Sequence, residues 1–312
     1  MNIRPSLLCI VGPTAVGKTA LSLALSSNFQ VEIISVDSRQ VYRGMDVGTA
    51  KPTLSQQIQV PHHLIDVVDP WENFDLTSYL TRARKAINEV HLRGCLPILV
   101  GGTGQYLAAL LEAWDIPQVP PDPTFRRNLE EFAANSGADV LHLRLMNTDP
   151  VSAKTIDYRN VRRVIRALEI YHQTGIPASE LRRRGTAPFN ARIIGLTLPR
   201  QELYCQIDRR VDRMIANGWV GEVESLLAGD TLPTSSAMAS VGYGELAAYL
   251  QATISLDEAT RNTKIATHRF ARQQYGWFRL SDPRIRWFHA GPKVSIDVCL
   301  MVESFLNESL KA

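Results

Sequence analysis

Residues 6–27 read SLLCIVGPTAVGKTALSLALSS, and this stretch decides the fold. Ser6–Val11 is a short apolar run, partly β-branched, that stops at glycine, the pattern of a parallel strand covered on both faces. Lys18–Ser27 carries apolar residues at helical spacing. Between them, Gly12-Pro13-Thr14-Ala15-Val16-Gly17-Lys18-Thr19 fills every fixed position of G-x-x-x-x-G-K-[ST]. It also sits between a predicted strand and a predicted helix, the context in which that motif has meaning. Glycines let the backbone wrap a phosphate with its N–H groups turned inward, and the helix N-terminus adds positive potential. Lys18 supplies a point charge, and the Thr19 hydroxyl is suited to hold Mg²⁺. The motif says that phosphates bind, not which compound carries them.

Working outward, Val31–Val36 (VEIISV) is a second strand running into Asp37, and Phe74–Arg93 is a helix that Gly94 stops. Pro97–Val100 is a third strand, followed by Gly101-Gly102-Thr103-Gly104 and a helix over Gln105–Ala113. Strand, glycine turn and helix in repetition imply a parallel α/β sheet with ligand loops at the C-terminal ends of the strands. Ile116–Pro123 (IPQVPPDP) then holds four prolines in eight residues, a boundary signal. Helical segments follow without strands, at Phe125–Asn135, Val151–Thr155 and Val161–Gln173, before Ala191–Leu198 reads as a strand again. The expected architecture is an α/β, P-loop parallel-sheet core flanked by helices over 1–115 and 191–312, with a helical insertion domain at 116–190. From Gln201 to about Trp277 the chain reads as helical, with breaks at Gly229–Ser236 and near Gly242–Gly244.

Composition bounds the function. The 312 residues are 45% apolar and 21% charged, an ordinary globular balance. Cys9, Cys95, Cys205 and Cys299 lie far apart with no C-x-x-C pair, which argues against a zinc site and a secreted disulfide framework. No run of about 18 apolar residues exists to span a membrane, and SLLCIV lacks the length and cleavage site of a signal peptide, so a reducing cytoplasm is expected. The net charge is only +3, but Lys154–Arg184 holds eight Lys/Arg against three Asp/Glu. Arg261–Arg286 holds seven against one, and Trp277, Phe278, Trp287 and Phe288 lie in or beside it. These stretches read either as solvated helix faces or as two parts of one polyanion-binding surface.

Several single residues stay open at this level. Asp37 follows an apolar strand, as a Mg²⁺-holding aspartate of a nucleotidase would, or stands as a general base at the mouth of the phosphate site. Thr103 belongs to a tight turn or is a polar contact at the same sheet edge. Arg162, Arg163 and Arg166 contact phosphate, or lace a surface helix on which Glu169 pairs with Arg166. Tyr243 and Trp277 stack on bases or fill the core.

GPTAVGKT at 12–19, VDSRQVYRGMDVGTAKP at 36–52, PHHLID at 61–66 and VGGTGQY at 100–106 together resemble the bacterial tRNA dimethylallyltransferases. The resemblance continues through RRVIRALEIY at 162–171, VGYGEL at 241–246 and THRFARQQYGWFR at 267–279, and so covers nearly the whole chain. It implies that Gly12 through Thr19 cradle the diphosphate of dimethylallyl diphosphate with Mg²⁺, Thr14 and Lys18 lying on the phosphates. It implies transfer of the dimethylallyl group to N6 of the adenosine at position 37 of tRNAs that read codons beginning with U, the base being flipped into a channel. Asp37 matches the general base, Ser38, Arg39 and Gln40 the adjoining nucleotide contacts, and Thr103 a further substrate contact. Arg210, in QIDRRVDRM, matches an arginine that holds the diphosphate. Arg126, Arg162, Arg163 and Arg166 are the tRNA contacts expected in the insertion, and a monomer acting on the anticodon stem-loop is the expected partner arrangement. The chain departs from the family pattern at Arg162, at Gly244 and in Asp157-Tyr158-Arg159-Asn160. A prenyltransferase for free adenine nucleotides, a small-molecule P-loop kinase and a nucleotide-switched RNA-binding protein are the competing readings.

Overall fold

The structure, a computed structural model, describes residues 4–181, 184–229 and 235–311. Arg182 and Arg183 of the basic stretch, and 230–234 of the expected break at 229–236, lie outside these residues. The chain divides into two compact units, one formed by the segments up to Leu111 and from Pro188 onward, the other by Glu112–Ala187.

In chain order the first unit begins with β1 (Ser6–Val11), α1 (Lys18–Leu25), β2 (Val31–Val36), α2 (Leu54–Gln59), β3 (His62–His63), α3 (Leu76–Leu92), β4 (Leu96–Gly101) and α4 (Gly104–Leu111). The second unit is α5 (Pro123–Ser136), α6 (Ala138–Thr148), α7 (Pro150–Thr155), α8 (Val161–Thr174) and α9 (Ala178–Leu181). The first unit resumes with β5 (Asn190–Thr197), α10 (Arg200–Ala216), α11 (Trp219–Ala228), α12 (Tyr243–Leu250), α13 (Leu256–Trp277), β6 (Ile285–His289) and α14 (Val294–Lys311).

The six strands form one sheet in the order β3-β2-β4-β1-β5-β6, and every pairing is parallel. Its three central registers explain the apolar runs: Leu7 to Val11, Val31 to Val36 and Leu96 to Leu99 are covered on both faces. Because β1 lies between β4 and β5, with β2 beside β4, the turns leaving β1, β2 and β4 emerge side by side at one edge. Helix starts are chemically marked. Thr53 and Gln56 form a capping box on α2, while Asp75 and Ser255 cap α3 and α13 through their side chains. Among the described residues no helix is long and apolar enough to cross a membrane.

β1 and β2 fall where the sequence placed them, α1 ends two residues before Ser27, α3 occupies Leu76–Leu92 within the expected Phe74–Arg93, and β4 runs one residue further at each end than Pro97–Val100. β6 is a difference. The basic, aromatic run IRWFH, for which no strand is expected, is a sheet strand in which the Trp287 ring packs so closely over Gly195 that a Cβ there would clash with it, while Arg286 stays exposed.

The Glu112–Ala187 unit has its own core, built on Leu129, Leu141, Leu145, Val164, Ile165 and Leu168. At its centre Glu169 is fully buried. Its carboxylate accepts Arg126 Nε and Nη2 at 2.8 and 2.7 Å, Arg166 Nη1 at 2.5 Å and the Asp122 backbone N–H at 2.7 Å. Arg166 Nη2 also donates to the Val119 carbonyl at 2.8 Å. Arg126 and Arg166 therefore spend much of their donor capacity inside this unit, tying α5 and the proline-rich segment to α8. Arg162 and Arg163 are exposed on the same helix.

Candidate active site

Where β1 ends, the backbone has to turn sharply. Gly12 has φ 140°, and a Cβ on it would collide with the Leu196 carbonyl of β5. Ala15 at φ 64° and Gly17 at φ 101° complete a loop that only small residues allow. Gly17 caps α1 without any side chain, so the first-turn N–H groups of that helix are left for a ligand. Lys18 Nζ folds back to donate to the Gly12 and Pro13 carbonyls at 3.0 and 2.8 Å.

The adjoining turns lock to one another. Asp37 Oδ1 accepts the backbone N–H of Arg39 at 2.8 Å and of Gln40 at 3.4 Å, so the carboxylate is oriented by its own turn. Thr103 donates its backbone N–H to the Val36 carbonyl at 3.1 Å, and its Oγ1 accepts the Ser38 N–H at 3.1 Å. A Cβ at Gly101 would strike the Val36 carbonyl, which is why β4 ends on glycine. Arg39 donates to the Ser236 carbonyl. Gln40 is held at both ends: Oε1 accepts from Ser35 Oγ at 3.0 Å, and Nε2 donates to the Thr49 and Ala50 carbonyls at 3.3 Å.

These turns enclose a cavity of ≈ 230 Å³. Thr14, Lys18 and Thr19 line one part, Asp37, Gln40 and Gly102 another, and Arg210 and Arg213 of α10 face them with Phe270 and Gln274 of α13. Burial, and then the nearby Arg210 guanidinium, pull the Lys18 ammonium down to about 7, with Asp37 opposing them. Burial likewise lowers Arg210, again against the pull of Asp37. Two half-buried cations, Lys18 and Arg210, beside a backbone nest and with one carboxylate near them, make a site that gains most from a multiply charged anion.

The structure thus brings together Thr14, Ala15, Gly17, Lys18, Thr19, Asp37, Gln40 and Arg210 in one cavity, while Gly12, Pro13 and Val16 complete the loop behind it and Ser38 and Thr103 lie in the adjoining turns. It leaves Tyr243 out: that ring is fully buried in the core and its hydroxyl donates to Glu222 at 2.7 Å. Trp277 remains 43% exposed, packed over Gly104. Residue-by-residue reading of the sequence missed Gln274. It is buried, its Oε1 accepts the Thr14 N–H at 2.8 Å, and its Nε2 donates to the Gly102 carbonyl at 3.2 Å. One glutamine in a basic helix carries no periodic signal; its only marker was its place in the run at 267–279.

A strand–glycine loop–helix unit on a parallel sheet, with a lysine and an arginine lining the same cavity as an aspartate, defines a protein of the α/β P-loop class. The family model for IPP transferase matches residues 40–281 and that for isopentenyl transferase matches residues 5–62; the chain belongs to the IPP transferase family. It is 48% identical over 288 residues to the tRNA dimethylallyltransferase of Thermomicrobium roseum, covering 92% of this chain and 87% of that protein. The full-length tRNA isopentenylpyrophosphate transferase of Bacillus halodurans superposes with a TM-score of 0.74 at 39% identity, covering 99% of each chain. A eukaryotic dimethylallyltransferase solved in crystallographic snapshots of its action on tRNA superposes with a TM-score of 0.77 at 27% identity, covering 96% of this chain and 77% of that one.

Proposed function

We propose that the protein transfers a dimethylallyl group from dimethylallyl diphosphate to N6 of the adenosine at position 37 of tRNAs reading codons that begin with U. The observation that carries this reading is the single cavity in which Lys18 and Arg210, over the P-loop nest, face the carboxylate of Asp37. A phosphate site alone would suit a kinase. A carboxylate beside it, in a chain of this family, suits attack by a weak amine on an allylic diphosphate.

The chemistry follows from those groups. The diphosphate lies on the P-loop N–H groups, with Lys18 and Arg210 neutralising the charge that grows on the bridging oxygen as the C1–O bond breaks. The adenine N6 lone pair forms the new C–N bond to C1. Asp37, held by the Arg39 and Gln40 N–H groups, accepts the N6–H hydrogen bond and takes the proton, and diphosphate leaves. Flipping the base costs a few kcal/mol, offset by contacts in the cavity, and confines the reaction to an RNA loop that can open.

Mg²⁺ fits this site. The Thr19 hydroxyl lines the cavity next to Lys18, and a hard cation that takes most of its oxygens from the diphosphate needs few protein ligands. Bound there, it would add neutralisation of the leaving group.

Gln40 acts through its braced side chain on the cavity wall, and Thr103 through the Ser38 turn. In the insertion the exposed Arg162 and Arg163 grip tRNA phosphates, while Arg126 and Arg166 hold the unit that presents them. A monomer working in a reducing cytoplasm completes the proposal, and Cys9, Cys95, Cys205 and Cys299 are unpaired. Incubation with labelled dimethylallyl diphosphate and unmodified tRNA should put label into RNA. Asp37→Ala should lower kcat by about 10²–10⁴-fold with tRNA affinity nearly unchanged.

A further inference from the structure

The segment 46–52 forms part of the cavity wall through Thr49, Ala50 and Pro52, yet nothing in its own sequence explains its shape. Its first half turns three successive N–H groups to one side, and all three end on one side chain. Glu222, in the first turn of α11, accepts the Asp46 and Val47 N–H groups on Oε2 at 2.7 and 2.6 Å, and the Gly48 N–H on Oε1 at 3.1 Å. Oε1 also accepts the Tyr243 hydroxyl at 2.7 Å. Four donors on one carboxylate form an anion nest built from the chain itself. Close approach is obligatory here, since a Cβ at Gly48 would run into the Trp219 indole and the Tyr243 hydroxyl.

The second half of the segment faces the chemistry. Its Thr49 and Ala50 carbonyls accept Gln40 Nε2, the Gln40 amide oxygen accepts from Ser35, and the Gln40 backbone N–H reaches Asp37 Oδ1. A continuous set of hydrogen bonds thus runs from Glu222 through the backbone of 46–50 to Gln40 and the carboxylate of Asp37. We propose that Glu222 is a positioning residue for the transfer reaction: its carboxylate sets the 46–52 wall and, through Gln40, the orientation of Asp37. The inference rests on the proposed role of Asp37 as the base. Glu222 does not line the cavity, and the P-loop and Gln274 take no part in this path.

Glu222→Gln keeps the shape but turns an amide NH₂ toward backbone donors. It should lower kcat about tenfold, counted per molecule that binds inorganic diphosphate, while the Kd for diphosphate stays within about twofold. In a Gln40→Ala background the same change should add little, because both act on one path. A merely structural glutamate would lower thermal stability and leave kcat per diphosphate-binding molecule alone, or give an effect additive with Gln40→Ala; either result overturns the inference. Should Glu222→Gln not fold, Tyr243→Phe, which removes one donor, decides: a fall in kcat of about threefold that vanishes in Gln40→Ala supports the path, and an unchanged kcat overturns it. A wild-type protein that transfers nothing to tRNA defeats the proposed function and this inference together, whereas an active wild type with additive variants defeats the inference alone.

Discussion

Thr14 and Gln274 are 260 residues apart in the chain, yet the backbone N–H of Thr14 donates to the side-chain oxygen of Gln274 at 2.8 Å. The other end of that amide reaches the Gly102 carbonyl, so one buried glutamine on α13 spans the P-loop and the turn after β4. Phosphate-binding loops need their N–H groups aimed before the ligand arrives, and here a helix from the far end of the chain helps to aim them.

Replacing Gln274 by leucine keeps much of its volume but leaves the half-buried Thr14 N–H without this partner and the buried Gly102 carbonyl unpaired, the latter at about 1–3 kcal/mol. Urea denaturation should show a lower midpoint with an unchanged slope, and the KM for dimethylallyl diphosphate should rise about tenfold. An unchanged KM would mean that the bridge stabilises the fold without shaping the phosphate site.

Lys18 gives a pH signature. Its folded pKa is held at about 7, below the usual 10.5, so between those values the unfolded chain binds a proton that the fold does not. Stability of the free protein therefore rises with pH across that window and is lowest below pH 7. A bound diphosphate restores the charge on Lys18, so at about pH 8 binding should take up close to one proton, read by calorimetry in two buffers of different ionisation enthalpy. Lys18→Met should take up none; equal uptake in the two proteins would remove Lys18 from the phosphate site.

The insertion separates two kinds of arginine. Arg162→Ala with Arg163→Ala should raise the KM for tRNA and reduce the salt dependence of binding by roughly one to two phosphate contacts, with thermal stability little changed. Arg166→Ala should instead destabilise the 112–187 unit by about 1–3 kcal/mol, because Glu169 is fully buried and would lose a charged partner. The reverse pattern would return Arg166 to the RNA-binding face.

The sheet was legible wherever residues are covered on both faces. β1 and β4 are largely apolar runs, β2 is one broken only by Glu32 and Ser35, and each runs into glycine or aspartate, while the motif between β1 and α1 marked the phosphate loop. β3 has two residues and no periodicity to read. β6 is an edge strand of arginine and aromatic residues with no unbroken apolar run to read; Trp287 packs against Gly195 while Arg286 stays exposed. Asp37, Lys18 and Arg210 were legible from motif and resemblance together. Gln274 and Glu222 were not, because each acts by accepting backbone N–H groups from distant loops, and no residue spacing records such a partnership.

The most direct test reacts unmodified tRNA with dimethylallyl diphosphate and Mg²⁺, digests the product to nucleosides, and maps the modified base by sequencing, with Asp37→Ala alongside. The account predicts N6-(dimethylallyl)adenosine at position 37 of tRNAs reading U-initial codons, no modification of free adenine nucleotides, and a loss of rate of about 10²–10⁴-fold in the variant. Prenylation of free AMP or ATP in preference to tRNA, or tRNA-stimulated ATP hydrolysis with no prenyl transfer, would contradict it.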